Sequence, residues 1–599
     1  MKKLFKKVLS QKKLSKRYLN KDIIAGITVA LILIPQSLAY AQLAGLPPQI
    51  GLYASLLPPI VAVVFGSSQL MSTGPVAIRS LMTAAALTPI AVVGGSDYII
   101  YALILTFILG VILLTLGLFK LGEFVNFLSH PVVYGFTNAA VIIIATTQLA
   151  NFFGVASVSY PYHYQTVIAV AKNALTNTHL PTLALGISSL IAMVIFKKVS
   201  PRIPGTLIII IVSSLTVFIT GYSGRLVGEI PSGLPVLRIP PLNTAIIGQL
   251  FITATTMALV GFTEAISVAQ AMAIKTKERL DPNKELIGQG LANVVSALSS
   301  GYAVSGSFSR TSVNYQSGAK TWFSSVVSSF VVLLTLLIFT KMLFFIPTVT
   351  LAAVIILAVS SLVDFSKIKF IWATNRYDAA AAVLTFLGTL YFAPRIEIGV
   401  LIGVVFSMSH FVFQSTHPRV SFLSRYKDDQ FHDSNAFHLN RCANIAVVRL
   451  DAPLFFANAS YFENIIIKDL SDNPKLTYIL IDASGVNEID ATGEEMLRNL
   501  VEELRGAKKE LYFSEVRRPV AEMLKKSGLW EDVGDNNFFP TTKIAVKYLL
   551  KHLAKEHKHT DFDKCPLSRY IENGKGGLEI ERHYREKIAD VYNRLFLKS

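Results

Sequence analysis

The sequence predicts a polytopic α-helical membrane protein that continues into a soluble α/β domain. Three observations predict it. Hydrophobic residues make up 52% of the chain and charged residues 16%, with a mean hydropathy of +0.50. Charge is segregated: from Asp22 to about Thr416 long apolar runs alternate with short polar breaks, and from Arg419 onward the composition is that of a soluble protein. Many of the apolar runs approach the roughly 20 residues that a helix needs to cross a bilayer.

The chain starts with a basic stretch, "MKKLFKKVLSQKKLSKRYLNKD". No small-residue cleavage site follows it and the first apolar run has spanning length, so residues 1–21 are expected to be an uncleaved cytoplasmic arm. Its lysines favour anionic lipid headgroups. Spans are expected near 23–43, 49–66, 97–118, 124–150, 181–197, 205–221, 243–273, 321–342, 346–363, 379–393 and 396–415. Three shorter or interrupted pieces, 74–91, 284–301 and 307–318, bring the number to fourteen and return both termini to one side.

The loops assign that side. With the first residue in the cytoplasm, Lys120, Lys197, Lys198, Arg202, Lys275 to Lys284, Lys320, Lys367 to Arg376 and Arg419 to Arg425 all lie inside. The opposite loops hold only Lys172, Arg225, Arg238, Lys341 and Arg395. This asymmetry predicts a cell (inner) membrane protein with both termini cytoplasmic. It also accounts for the formal net charge of +17, so no nucleic-acid partner is expected. Two cysteines, Cys442 and Cys565, give no disulfide framework or cysteine-rich metal site.

Two polar interruptions carry the functional signal. In "SSQLMSTGPVAIRSLM" an extended approach leads to Thr73, Gly74 and Pro75. Proline near a helix start with threonine as cap predicts a helix beginning there, inside the bilayer. In "SGYAVSGSFSRTSVNYQSGAK" a Gly/Ser-rich approach again leads into a short helix, in the second half of the membrane region. Paired interruptions in the two halves point to a transporter site at an inverted-repeat interface. Non-helical backbone at that depth must be buried in protein or line a wet cavity. Each helix start offers free N–H groups and roughly half a positive charge, so two facing starts make an anion site without a cofactor. Thr73, Ser307 and Ser309 add hydroxyls, and Arg310 adds a charge in the first turn of its helix. Ordinary Gly/Ser helix packing is the alternative reading.

Arg79 stands in apolar sequence, with no charged residue from Ile23 to Ile78 and none after it until Asp97. A charge at that depth costs from about 2.5 to above 10 kcal/mol. Placed about five positions into the helix, Arg79 would lean back toward the helix start. It is expected to stand behind the anion, to pair with Glu264, or to reach water. Glu264 lies in otherwise apolar sequence and is a functional candidate by default; an ion pair with Arg310 or Arg79 is the structural alternative.

From about 436 the pattern changes. "NIAVVRL" and "YILIDA" read as strands, and "NASYFENIIIKDL", "TGEEMLRNLVEELRGA" and "RRPVAEMLKKSGLW" as helices. That alternation predicts an α/β domain over 436–555. Thr492 is expected to cap the helix beginning near Gly493. Residues 556–599 form a charged tail with a helical pattern at Ile580, Ile588, Val591 and Leu595; His557 and His559 read as solvated linker rather than metal ligands.

The membrane sequence resembles the SulP family of anion transporters, the sulfate permeases. The resemblance lies in "IPQSLAYAQLAGLPPQIGLYAS", "FGSSQLMSTGPVA", "ALVGFTEAISVAQAMA", "DPNKELIGQGLANVVSAL" and "VSGSFSRTSVNYQSGAKT". "DAPLFFANASYF" with "ILIDASGVNEIDATGEEML" resembles the STAS domain that follows the membrane part in that family. Within it "DATG" resembles a serine-phosphorylated stretch of signalling relatives, which implies phosphorylation as the alternative role of Thr492. The resemblance covers about residues 15 to 555. It implies fourteen spans as seven-plus-seven inverted repeats over 22–418, with a uracil-permease-like core (spans 1–4 and 8–11) and a dimerising gate (spans 5–7 and 12–14). It further implies elevator-type transport of a small inorganic anion held between half-helices 3 and 10. By motif match Gln36 and Tyr40 line the pocket. Thr73, Gly74, Pro75 and Val76 supply the first helix end, and Ser307, Phe308, Ser309 and Arg310 the second. Glu264 stands where family members carry an acid linked to proton or sodium coupling. Arg79 departs from the apolar or small residue more common at its position.

Sulfate with a coupling proton is the leading expectation. Sodium-coupled bicarbonate uptake, dicarboxylate uptake and chloride exchange stay open within the class. A nucleobase permease, and an anion sensor whose STAS domain reports to a cytoplasmic protein, are the alternatives outside it. A P-loop is absent from the sequence, which argues against a primary pump, and no nucleophile–base arrangement points to an enzyme.

Overall fold

The computed structural model describes residues 18–122, 129–156, 160–199, 204–241, 243–360, 362–426, 430–556 and 565–567. Most of the basic arm, His557, His559 and the expected tail helix lie outside them. The chain divides into two compact units, Met1–Met408 and Ser409–Ser599.

The first unit is helical. It runs α1 (Leu19–Leu43), α2 (Pro48–Tyr53), α3 (Pro58–Phe65), β1 (Thr73–Gly74), α4 (Ala77–Leu87), α5 (Ser96–Leu118), α6 (His130–Thr147) and α7 (Leu149–Phe153). It continues through α8 (His163–Asn177), α9 (Leu180–Val199), α10 (Gly205–Thr220), α11 (Thr244–Thr276), α12 (Pro282–Leu298), β2 (Ser305–Gly306) and α13 (Phe308–Gln316). Then come α14 (Phe323–Leu334), a π turn (Thr335–Phe339), α15 (Thr340–Leu343), α16 (Thr348–Ser360), α17 (Phe365–Thr374), α18 (Arg376–Phe392) and α19 (Ile396–Thr416). Among the described residues, eight stretches are long and apolar enough to cross a membrane by themselves, and α4, α10 and α16 are shorter apolar helices. Leu175, Ile211, Phe218, Ile252, Phe330 and Phe411 are exposed, as suits side chains that meet lipid rather than water.

Several buried polar residues of this unit sit where helices start or stop. Asp22, in the first turn of α1, is almost wholly buried. Its carboxylate accepts from the Lys320 and Thr321 backbone N–H groups at 2.7 and 3.0 Å and from the Thr321 hydroxyl at 2.6 Å. A carboxylate so bonded anchors the start of α1 to the turn before α14 at little desolvation cost.

The second unit is a six-stranded sheet in the order β4-β3-β5-β6-β7-β8: β3 (Val420–Arg425), β4 (Phe431–Asp433), β5 (Ile445–Leu450), β6 (Tyr478–Asp482), β7 (Glu510–Ser514) and β8 (Phe538–Phe539). Strands β5 to β8 are parallel, and β3 pairs antiparallel with β5. Helices α20 (Ala459–Asp472), α21 (Ala491–Gly506), α22 (Arg518–Lys526), α23 (Leu529–Val533) and α24 (Thr542–Glu556) complete it. The period-2 alternation of a strand sorts its side chains between two cores. Ile479 and Ile481 pack with Phe462, Leu497, Leu500 and Trp530 on one face; Tyr478 and Leu480 pack with Leu549, Leu550 and Leu553 on the other. The sheet starts earlier than the strand–helix alternation read from about 436, because β3 and β4 precede it. The two cysteines meet here as thiols, with Cys565 donating to Cys442 Sγ at 2.7 Å.

Thr492 is not the cap of its helix. Asp490 caps α21 and accepts from the Gly493 N–H at 2.8 Å, while Thr492 is exposed within the first turn. Aspartate reaches the same free donors as threonine and adds a negative charge where the helix dipole favours one.

Candidate functional site

Two extended segments, each running into a short helix, meet inside the first unit. β1 pairs antiparallel with β2, Thr73 opposite Gly306 and Gly74 opposite Ser305. The pairing extends outward: Ser307 N–H donates to the Ser72 carbonyl at 2.9 Å, and the Ser72 N–H to Thr311 Oγ1 at 3.0 Å. Backbone groups that would be orphaned at this depth thus satisfy one another.

Three side chains of α12 hold the approaches in place. Glu285, Gln289 and Asn293 recur every four residues, so they lie on one helix face, and all are almost wholly buried. Glu285 Oε2 accepts from the Ser67 and Ser68 N–H groups, each at 3.0 Å. Gln289 Nε2 donates to Thr73 Oγ1 at 3.1 Å. Asn293 takes the Val304 N–H at 2.9 Å and gives to the Val304 carbonyl at 3.1 Å, as a strand partner would. The sequence reading missed this ladder, although its period of four within "KELIGQGLANVV" was visible.

The first half-helix starts later than its sequence signal. α4 begins at Ala77 with Val76 as an uncapped N-cap, extended at φ −135°. Thr73 is therefore a strand residue bonded to Gln289 rather than a cap. The first N–H of the helix to find an intrahelical carbonyl is that of Ser80, on Val76 at 3.0 Å, so the donors of Ala77, Ile78 and Arg79 stand free of the ladder. Arg79 is the third residue of α4, not the fifth. The second half-helix, α13, begins at Phe308 with Ser307 as cap, its hydroxyl 3.5 Å from the Arg310 N–H and 3.3 Å from Ser309 Oγ. Arg310 is the third residue of α13.

Arg310 crosses between the two half-helices. Its Nη1 donates to the Pro75 carbonyl at 2.9 Å and to Gln36 Oε1 at 3.2 Å. Nε and Nη2 have no hydrogen-bond partner, and the side chain is 1% exposed. A Cβ added at Gly74 would lie 3.3 Å from Nη2, so glycine makes room for the guanidinium. Tyr40 is buried beside it and interacts electrostatically with both Arg310 and Glu264. Phe308 and Ser309, in contrast, are exposed, at the open side of the second helix start.

Arg79 packs against α11. A Cβ at Gly261 would fall 2.2 to 2.5 Å from three of its guanidinium atoms, so only glycine admits it. Glu264 stands one helical turn beyond Gly261 on α11 and interacts electrostatically with Arg79 and Arg310. Its Oε2 is hydrogen-bonded to nothing, so the expected tight ion pair is not formed at that oxygen. Gln36, Tyr40, Thr73, Gly74, Pro75, Val76, Ser307, Ser309 and Arg310 gather around the β1–β2 junction, with Glu264 and Arg79 within electrostatic range. The sequence reading passed over Tyr302, whose hydroxyl is 2.8 Å from Ser80 Oγ behind the first half-helix.

Two half-helices that start from one strand pairing, with a buried arginine crossing between them, are an arrangement that suits an anion in a membrane protein. The comparisons make the class particular. The sulfate permease family model matches residues 19–385 and the STAS domain model residues 437–545. The chain belongs to the sulfate permease family, whose members are transporters rather than enzymes, and it is a multi-pass anion transporter with a C-terminal STAS domain. It is 33% identical to the chloroplastic sulfate transporter 4.1 of Arabidopsis thaliana, over 91% of this chain and 83% of that one. It is 32% identical to the high affinity sulfate transporter 1 of Stylosanthes hamata, over 88% and 83%. The murine Solute Carrier 26 family member A9 anion transporter, solved in the inward-facing state, superposes with a TM-score of 0.83 at 25% identity, covering 90% of this chain and 93% of that one. The transmembrane domain of a cyanobacterial bicarbonate transporter shares the fold, with a TM-score of 0.57 at 23% identity over 66% of this chain and 98% of that one.

Proposed function

We propose that this protein is a proton-coupled sulfate transporter of the cell membrane, holding its substrate between the starts of α4 and α13. The observation that carries the reading is the β1–β2 junction, from which two short helices leave, the first with an uncapped start, beside a buried arginine whose Nε and Nη2 are unbonded. Relatives named as sulfate transporters, similar along most of their length, favour sulfate. Backbone N–H groups, the Ser307 and Ser309 hydroxyls and Arg310 would replace the water that the anion sheds.

Glu264 is assigned the coupling proton. Two cations and one carboxylate give the site a net charge of one when Glu264 is ionised and two when it is protonated, and the second state matches a divalent anion. Spans 1–4 and 8–11 would carry the site as a moving core of an elevator against spans 5–7 and 12–14, in a seven-plus-seven repeat assembled as a homodimer with cytoplasmic termini. The STAS domain would meet a cytoplasmic protein partner, and the exposed Thr492 is where phosphate would be tolerated at a helix start.

An uptake panel into proteoliposomes at two pH values, with and without sodium, tests the reading. Sulfate uptake driven by an inward proton gradient and indifferent to sodium supports it. Sodium-dependent bicarbonate uptake, or chloride exchange without a proton requirement, would replace it. Absence of flux with any anion, together with anion-dependent binding of a partner, would favour a sensor.

A further inference from the structure

We propose that Arg79 is a specificity-determining second cation of the anion site, selecting divalent over monovalent anions. The inference rests on the reading of the β1–β2 junction as the anion site.

The two half-helices carry an arginine at the same place. Arg79 is the third residue of α4 and Arg310 the third residue of α13, so each guanidinium starts from the first turn of a helix whose positive end meets the junction. Each is 1% exposed and has two nitrogens without a hydrogen-bond partner, Nε and Nη1 on Arg79 and Nε and Nη2 on Arg310. Both interact with the same carboxylate, that of Glu264. A buried guanidinium with unspent donors is costly. The fold nevertheless reserves space for Arg79, since a single methyl group at Gly261 would occupy the guanidinium's place. Gly261 is itself tied to the junction, because Ser305 Oγ of β2 donates to its carbonyl at 3.1 Å.

A second cation acts unequally on anions of different charge. Its Coulomb attraction for a dianion is twice that for a monoanion at the same distance, while the cost of burying the arginine is common to both. Its contribution is therefore to the ratio of affinities, which is what selectivity is. Arg310, bonded to Gln36 and to Pro75 of the facing segment, orients the site for any anion. Arg79, bonded through none of its Nε and Nη1 donors, adds charge more than geometry.

The test measures equilibrium binding of sulfate and of nitrate to the full-length protein in lipid nanodiscs, by displacement of radiolabelled sulfate. Arg79→Gln is expected to lower the sulfate-to-nitrate affinity ratio about tenfold, or ~1.4 kcal/mol, with Arg79→Lys restoring part of it. Gly261→Ala, which keeps the charge but displaces it, is expected to lower the ratio in the same direction. Thermal unfolding of each variant shows whether it is folded. A folded Arg79→Gln or Gly261→Ala protein with the wild-type ratio overturns the assignment while leaving the anion site standing. Binding of neither anion by the wild type overturns both.

Discussion

The two half-helices are built alike and finished differently. Both leave a two-residue strand, and both put an arginine at their third position. In α13 the cap hydroxyl of Ser307 faces the Arg310 N–H, and Arg310 reaches across to Gln36 and the Pro75 carbonyl through Nη1 alone, its Nε and Nη2 staying unbonded. In α4 the cap is Val76, which offers no side-chain acceptor, and Arg79 is left with two unbonded nitrogens against Gly261. The second half-helix is thus capped and tied across the junction through Arg310 Nη1, whereas the first is uncapped and its arginine makes no such tie. A paired architecture does not require equal roles: both halves bring a buried arginine with unspent donors, but only the second ties the two segments together.

Breaking that tie should cost most. Arg310→Gln removes a cation and leaves the Pro75 carbonyl without its donor. It is expected to weaken sulfate binding at least about a hundredfold, ~2.8 kcal/mol, and to abolish uptake. A binding isotherm and a proteoliposome flux assay on the same preparation check both effects.

The next comparison is between the two cations and the acid they share. Wild-type uptake should fall as external pH rises, because the coupling proton is lost from Glu264. Glu264→Gln should flatten that dependence and leave sulfate affinity within about threefold, ~0.7 kcal/mol. An unaltered pH profile in Glu264→Gln would remove the residue from coupling.

The ladder on α12 separates the two approaches in a graded way. Asn293→Ala strips two bonds from the Val304 peptide beside β2 and should destabilise the protein by about 2–3 kcal/mol. Gln289→Ala removes the bond to Thr73 of β1 and a 3.2 Å bond to Glu285 Oε1 within α12, and should cost about 1–2 kcal/mol. Thermal unfolding in one detergent gives the order, and a larger loss for Gln289→Ala would reverse the assignment of which approach is held more firmly.

The smallest effect concerns caps. Ser307→Ala should cost about 1 kcal/mol, as should Asp490→Ala in the STAS domain, whereas Thr492→Val at the neighbouring exposed position should stay within about 0.5 kcal/mol. Unfolding of the full chain followed through each domain reads out all three.

Much of this was legible in the sequence, and what was not has physical causes. The breaks around Thr73 and Ser307, the buried charge of Arg79 and the acid of Glu264 stand out because each violates the local apolar pattern. The start of α4 was misplaced by several residues because Thr73-Gly74-Pro75 carries the local signature of a helix start. What overrides that signature is β2, a pairing partner more than two hundred residues away in the chain. The cap of α21 was assigned to Thr492 when Asp490 two residues earlier offers a better acceptor. The relation of Arg79 to Gly261 was invisible for the same reason as the strand pairing: it joins helices from the two halves of the membrane unit. Strands β3 and β4 were missed because they follow directly on the last apolar helix, before the strand–helix alternation that begins near 436.

The central claim is that the anion lies between the first turns of α4 and α13. Selenate has the charge and shape of sulfate, and its selenium can be located by anomalous scattering. Crystals of the full-length protein grown with selenate should place one selenium at the β1–β2 junction, within hydrogen-bonding reach of the free α4 donors and the α13 first turn. A selenium site elsewhere in the membrane unit, with the junction empty, would contradict the account.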